Sequence, residues 1–258
     1  MTQEERLLEI KEMLKKQHRL STRKLADHFG VAFDTARRDV LRLTSTGQAV
    51  RIHGGLMELE HNTVPDFLVR SQIQSPLKEK MARKAKRFIH PGQLDFIASS
   101  TTLEQLCHMI AGIDLQVVTN SVDNAFALMN SPLPGVTILG GKLYKKEHYL
   151  ASSDALEQIK KLRFNTAFIG ASKVRQDGIY TASQADAEII ETVVAHSNQV
   201  ALIAEKYKFT NHNSSPYLSA PLSKIDVVIT DTPIPTEFRN AFTERTQIIP
   251  VMRKDSYA

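Results

Sequence analysis

With 258 residues, 42% hydrophobic and 24% charged, the chain has the make-up of a folded globular protein and room for two domains of ordinary size. No run approaches the ~20 apolar residues of a membrane span, and Met1 to Lys16 is charged throughout, so a cytoplasmic protein without a secretory leader or membrane contact is expected. The net charge of +5 is uneven: eleven Lys/Arg stand against seven Asp/Glu up to Gly55 and the rest is nearly neutral, which gives the amino-terminal segment the electrostatic footprint of a nucleic-acid binder.

In chain order, Leu7, Ile10 and Leu14 recur at helical spacing and predict an amphipathic helix from Gln3 to Gln17, with Glu4, Glu9, Lys11 and Lys15 on wetter faces. Ser21 can cap a second helix, Thr22 to Phe29, that buries Leu25 and Phe29, and Gly30 supplies a tight exit. A third helix runs through Ala32 to Val40. There Phe33, Ala36, Val40 and Leu43 share one face and can be buried, leaving Thr35, Arg37, Arg38 and Arg42 for phosphates or base edges. Helix, glycine turn, helix is the helix-turn-helix plan. Gly47 ends the run, and Ala49 to Gly55 reads as a β-ribbon, a wing carrying Arg51, His53 and Gly54. With Ser21 and Thr22 at the start of the second helix, these polar and basic residues are the DNA-facing candidates.

Leu56 to Gln74 loses its period and contains Pro65, so it reads as a linker that packs little. Leu77 to Phe88 is a strong helix former with an apolar stripe of Leu77, Met81, Ala85 and Phe88. Its many cations fit a solvated face or an auxiliary DNA contact. After His90-Pro91-Gly92, buried strands are expected at Leu94 to Ala98, Gln116 to Thr119, Thr137 to Leu139, Thr166 to Ile169, Gln199 to Ala204, Val227 to Thr230 and Gln247 to Val251. Helices are expected between them, at Thr102 to Ala111, Ser121 to Asn130, Asp154 to Lys161, Asp186 to His196 and Pro235 to Arg245. Such alternation predicts a mainly parallel sheet covered on both faces, an α/β domain. The organisation read from the chain is therefore a winged helix-turn-helix domain (1–57), a linker (58–76) and an α/β effector-sensing domain (77–258).

Ligands in such sheets sit at the carboxyl ends of the strands. Polar residues and glycines gather there: Ser99-Ser100-Thr101-Thr102, Thr119-Asn120-Ser121, Gly140-Gly141-Lys142, Gly170-Ala171-Ser172 and, further on, Lys208. The first group opens a helix, so hydroxyls and free backbone N–H groups would converge there as a phosphate seat.

Arg6, Ile10 and Leu14, with Ala32 and Thr35-Ala36-Arg37-Arg38-Asp39-Val40 and then Arg51-Ile52-His53-Gly54-Gly55, resemble the DNA-binding signature of the DeoR family of bacterial sugar-metabolism regulators. Ala32 stands where many members carry a capping Ser, a loss typically worth ~0.5–2 kcal/mol. From about Leu77 to Met252 the chain resembles the effector domain of the same family, which is similar in fold to ribose-5-phosphate isomerase and the CoA transferases and binds phosphorylated sugars. The resemblance implies that Thr101, Thr102, Asn120, Ser121, Gly140, Gly141 and Lys208 belong to a sugar-phosphate pocket, to which the strand-end reading adds Ser99, Ser100, Lys142 and Gly170. An Asp and a Gly common in the family's strand-end loop are replaced by Ala98 and Ser100, a Gly by Ser152, a Glu by Ala185, the Asp before the Lys-Phe pair by Glu205 and the Gly after it by Thr210. Two lost carboxylates would have bound sugar hydroxyls, which implies an altered effector or a pocket that no longer responds.

The fold expected is thus a winged helix-turn-helix module followed by a Rossmann-like α/β domain. The function expected is a transcriptional repressor that binds double-stranded operator DNA as a homodimer or homotetramer and is controlled by a phosphorylated sugar, with no catalytic residues and no cofactor. Two other readings stay open: an isomerase-type enzyme, for which Asp186, Glu188 and Glu205 are candidate bases, and an architectural or partner-driven DNA binder. The nine histidines show no metal-ligand spacing, no P-loop is present, and Cys107 has no disulfide partner.

Overall fold

A computed structural model describes residues 1–45, 49–52, 54–58, 67, 76–209 and 215–251. They fall into two compact units, Met1–Pro76 and Leu77–Ala258. His53, Thr210, Met252 and nearly all of the expected linker lie outside the described residues. Within the linker Phe67 is buried, against the expectation of a loosely packed segment.

In the first unit, α1 (Gln3–Gln17) starts in a capping box: the Thr2 hydroxyl accepts from the Glu5 N–H at 3.3 Å, and the Glu5 carboxylate accepts from the Thr2 N–H at 2.7 Å. A short strand β1 (Arg19–Ser21) leads into α2 (Thr22–Phe29), where the Ser21 hydroxyl accepts from the Lys24 N–H at 3.1 Å and Gly30 closes the helix in the left-handed region. Next come α3 (Phe33–Ser45), β2 (Ala49–Ile52) and β3 (Gly55–Glu58). The sheet order is β1-β3-β2, antiparallel throughout. The wing is therefore stitched to the strand that precedes α2, and its second strand extends into what reads in sequence as linker. Gly55 makes this possible, because an added Cβ would collide with the Leu20 carbonyl oxygen of β1. Ile10, Leu14, Leu20, Leu25, Ala36, Val40, Leu43 and Leu56 form the core.

Two apolar assignments need correction. Phe29 is only half-buried, and Phe33 is 54% exposed. Phe33 points to the apolar side of α3, but it occupies the first turn, where a cleft and not a core lies opposite.

The second unit opens with α4 (Pro76–Ala85), which runs into a 3-10 turn at Lys86–Phe88. Met81 and Ala85 are buried as expected, while Lys78, expected on a solvated face, is also buried. The main sheet contains β4 (Leu94–Ile97), β5 (Gln116–Thr119), β6 (Gly135–Ile138), β9 (Phe164–Ile169), β12 (Ser197–Ile203), β14 (Val227–Thr230) and β15 (Gln247–Pro250). All seven are parallel, in the order β15-β14-β12-β9-β4-β5-β6. Successive residues of a strand point to opposite faces, and β14 and the ends of β4, β9 and β12 are buried at every position, so both faces of the sheet centre are covered. The helices α5 (Thr101–Ile110), α6 (Val122–Leu128), α7 (Ser153–Lys160) and α8 (Gln184–Ala195) lie between the strands in sequence. Cys107 is buried in this core, and burial pushes its thiol up, away from reactivity. Asp95 is buried as well: one carboxylate oxygen accepts from the Thr166 N–H at 3.0 Å and the other has no partner among the described residues.

Sequence periodicity misses the small antiparallel pieces: the hairpin β7 (Lys142–Tyr144) and β8 (Tyr149–Ala151), and the sheet of β10 (Lys173–Arg175), β11 (Gly178–Thr181) and β13 (Tyr217–Ala220). The helix expected at Pro235 to Arg245 shrinks to α9, Thr236–Arg239. The Thr243 and Thr246 hydroxyls bond to each other at 2.9 Å, and Thr246 also donates to the Ile225 carbonyl at 2.9 Å, so one local and one long-range hydroxyl bond hold the segment where side-chain spacing suggests a helix.

Candidate nucleic-acid interface and effector pocket

On α3, Ala36, Val40 and Leu43 face inward, Arg37, Arg38 and Arg42 are exposed, and Thr35 is half-buried. Asp39, between two of these arginines and the core residue Val40, is buried against Arg6 of α1. The Arg6 guanidinium donates to both carboxylate oxygens, at 2.7 and 3.3 Å, and the Gln3 amide adds a third bond at 2.9 Å. This bidentate pair ties α1 to α3 and fixes the rotation of the arginine-bearing face. A sequence signal for it existed: Arg6, Ile10 and Leu14 repeat every four residues, which puts Arg6 on the buried stripe of α1.

Beside α3 lies a cleft of about 450 Å³, lined by Thr22, Phe33, Arg37, Val40, Arg51, Ile52, Gly54 and Gly55. Of the DNA-facing candidates it gathers Thr22, Arg37, Arg51 and Gly54 from α2, α3 and the wing. Ser21 does not line it, since its hydroxyl caps α2, and neither do Thr35, Arg38 and Arg42. The Thr22 N–H donates to the Gly54 carbonyl at 2.8 Å, locking the wing turn to the start of α2.

In the second unit, the ends of β9, β4 and β5 lie side by side, with Ile97 level with Phe168 on one flank and Thr119 on the other. Ser100 caps α5, its hydroxyl accepting from the Thr102 N–H at 3.2 Å; Thr101 and Thr102 are buried in the first turn. Gly170 lies against Ser100: a Cβ on it would stand 3.5 Å from that of Ser100. The Thr119 hydroxyl donates to the Ile97 carbonyl at 2.6 Å, and the Asn124 amide donates to the carbonyls of Ile97 and Ala98 at 3.2 and 2.9 Å, holding the loops together. The Ser121 hydroxyl accepts from the Asn124 N–H at 3.2 Å, as a cap. Asn120 is fully buried, yet neither its side-chain oxygen nor its nitrogen has a partner among the described residues. A buried amide in that condition carries a cost of about 1–3 kcal/mol.

The remaining candidates are more dispersed. The end of β6 reaches this row through the Leu139 N–H, which donates to the Thr119 carbonyl at 2.8 Å. The Gly140 carbonyl accepts from Ser152, at 3.0 Å, and Gly141 fits where any Cβ would collide with the Ala151 carbonyl. Lys142 is exposed, its ammonium 5.4 Å from the centre of the Tyr144 ring, and Ser99 is turned to the Glu147 carbonyl at 3.0 Å. Lys208 sits in a 3-10 turn beyond β12, on the far side of β9 from Ser100. Sequence reasoning missed the β7–β8 hairpin above Asn120 and Ser121. There Tyr149 pairs with Ser121, stacks on Tyr144 at 4.6 Å and donates to the Ser183 hydroxyl at 2.7 Å. Among the described residues there is no group of three or more His, Cys, Asp or Glu that could hold a metal, and no helix is long and apolar enough to cross a membrane.

Residues 6–61 match the model of the DeoR-like helix-turn-helix domain, and residues 73–232 match that of the DeoR C terminal sensor domain. The chain belongs to the DeoR family. As a member it is a DNA-binding transcriptional regulator whose helix-turn-helix is followed in sequence by a sensor domain. It is 31% identical to the transcriptional repressor GlcR of Bacillus subtilis, over 90% of this chain and 89% of that one. It is 28% identical to the glycerol-3-phosphate regulon repressor of Escherichia coli, over 95% and 97%. Among solved structures, ribose 5-phosphate isomerase A from Neisseria gonorrhoeae aligns with 52% of this DeoR-family chain and 53% of its own, at a TM-score of 0.38 and 17% identity.

Proposed function

We propose that this regulator represses genes of carbohydrate metabolism by gripping operator DNA with the first unit, and releases it when a phosphorylated sugar or related metabolite binds at the strand ends of the second. The observation that carries the DNA half is the cleft that brings Arg37 of α3 and Arg51 of the wing to one surface with Gly54. Arg38 and Arg42, exposed on the same helix, would add phosphate contacts. For the effector half, support comes from the buried turn Ser100–Thr102 at the head of a ten-residue helix and the side-chain amide of Asn120, buried with no partner among the described residues. Ala98 and Ala185 offer no carboxylate to sugar hydroxyls, which fits an altered effector.

Release requires the metabolite to prefer one arrangement of the protein over another. The test is a mobility-shift titration at two salt concentrations, with and without phosphorylated sugars. Arg37→Ala or Arg38→Ala should weaken binding and lower the salt slope by about one. Lys142→Ala should leave binding to bare operator intact and blunt release. Unchanged operator affinity in both arginine variants would overturn the DNA assignment. If no phosphorylated sugar shifts the complex or the melting temperature, the effector assignment fails.

We infer further that the chain self-associates to present at least two helix-turn-helix modules. Val122 and Phe126 of α6 and its C-cap Met129 form one exposed apolar stripe, beside exposed Val136 and Ile138 on β6, the edge strand of the main sheet. Between Asn124 and Gly141 the sequence carries no charge, so no charged side chain guards this edge against association.

A further inference from the structure

We propose that Phe33 reads thymine: in the operator complex its ring packs on the C5-methyl group of a thymine in the major groove. The inference rests on α3 being the operator-facing helix. Three observations converge on it. Phe33 is the first residue of α3 and 54% exposed, and the core of its unit closes on Ala36, Val40 and Leu43 without it. It lines the same cleft as Arg37, one turn along the helix, and Arg51 and Gly54 of the wing. The fold also commits it to that place: the Ala32 carbonyl accepts from the N–H groups of Thr35 and Ala36 at 2.9 and 3.2 Å, so the helix has already begun at Phe33 and the ring cannot swing away with a frayed end.

The chemistry then selects the base. A phenyl ring has no donor or acceptor for a base edge, so it gains nothing from guanine, adenine or cytosine in the groove, whereas thymine offers a methyl group. Recognition helices contact base edges through their amino-terminal residues, which is where Phe33 stands. Arg37 and Arg51 neutralise phosphates or read guanine, and Phe33 supplies a discrimination that no cation can.

The experiment uses the full chain. A site is enriched from random duplex DNA, and each of its thymines is replaced in turn by deoxyuridine, which removes only the methyl group. At one thymine per half-site the replacement should weaken wild type about three- to fivefold and leave Phe33→Ala unaffected, with equal salt slopes for the two proteins. Phe33→Met, which keeps an apolar side chain, should retain part of the sensitivity. If wild type enriches a site but no methyl removal discriminates it from Phe33→Ala, the thymine reading is wrong while DNA binding stands. If wild type enriches nothing, α3 is not an operator reader and the inference falls with it.

Discussion

Asp39 and Arg38 are adjacent on one helix and do opposite jobs. Removing the Asp39 carboxylate strands the Arg6 guanidinium against the core, and Asp39→Ala should cost about 2–3 kcal/mol, below the ~3–5 of a fully enclosed pair because Arg6 lies at the rim of its unit. Arg38→Ala should stay within about 0.5 kcal/mol of wild type in thermal melting and show its effect only in operator affinity. A variant pair that melted alike would sink this division. Asp95 offers a second residue-level test. Burial pushes its carboxyl up to about 7, so the folded protein holds a proton that the unfolded chain releases near the ordinary ~3.9. Its contribution to stability is full at low pH and is lost as pH rises from about 4 to about 7. Urea midpoints of Asp95→Asn should lack that fall, and the gap between variant and wild type should widen from about pH 4 to about pH 7.

Among the elements, helices with written ends were legible. Ser21 and Gly30 are caps whose chemistry is local, and α2 begins and stops where those residues say. The parallel strands were legible too, since runs such as Val227–Thr230 are buried on both sides and need no alternation. The short antiparallel strands were not: β1, β10 and β11 exist because distant partners share their hydrogen bonds, which no window of sequence displays. Phe33 shows the same limit at the site. Its spacing names a face, but only the folded unit says whether anything stands opposite. Within the wing, Gly55→Ala should push β3 off β1, destabilise the first unit by about 2 kcal/mol or more, and abolish specific operator binding, whereas the sensor unit keeps its own unfolding transition. Calorimetry that found both transitions unmoved would contradict the close approach.

For the molecule as a whole, charge and apolar surface are divided between the units. Most of the net charge of +5 lies before residue 56, while the exposed apolar residues of α6 and β6 lie in the second unit. Phe126→Glu should convert a larger species to a monomer in sedimentation, with an unchanged circular dichroism spectrum, and should weaken operator binding through lost bivalency without touching any residue of α3. A wild-type chain that sediments as a monomer at operator-binding concentrations would remove this reading.

The three-stranded order with β3 in the middle has one more effect. Two rows of amide bonds and the Thr22–Gly54 bond make the ribbon a fixed flange on the helix pair, unlike a hinged flap. New target preferences in such a frame are to be sought by exchanging side chains on an unaltered backbone. Lengthening the turn at Gly54 would instead shear the flange from its mount and spoil every site alike.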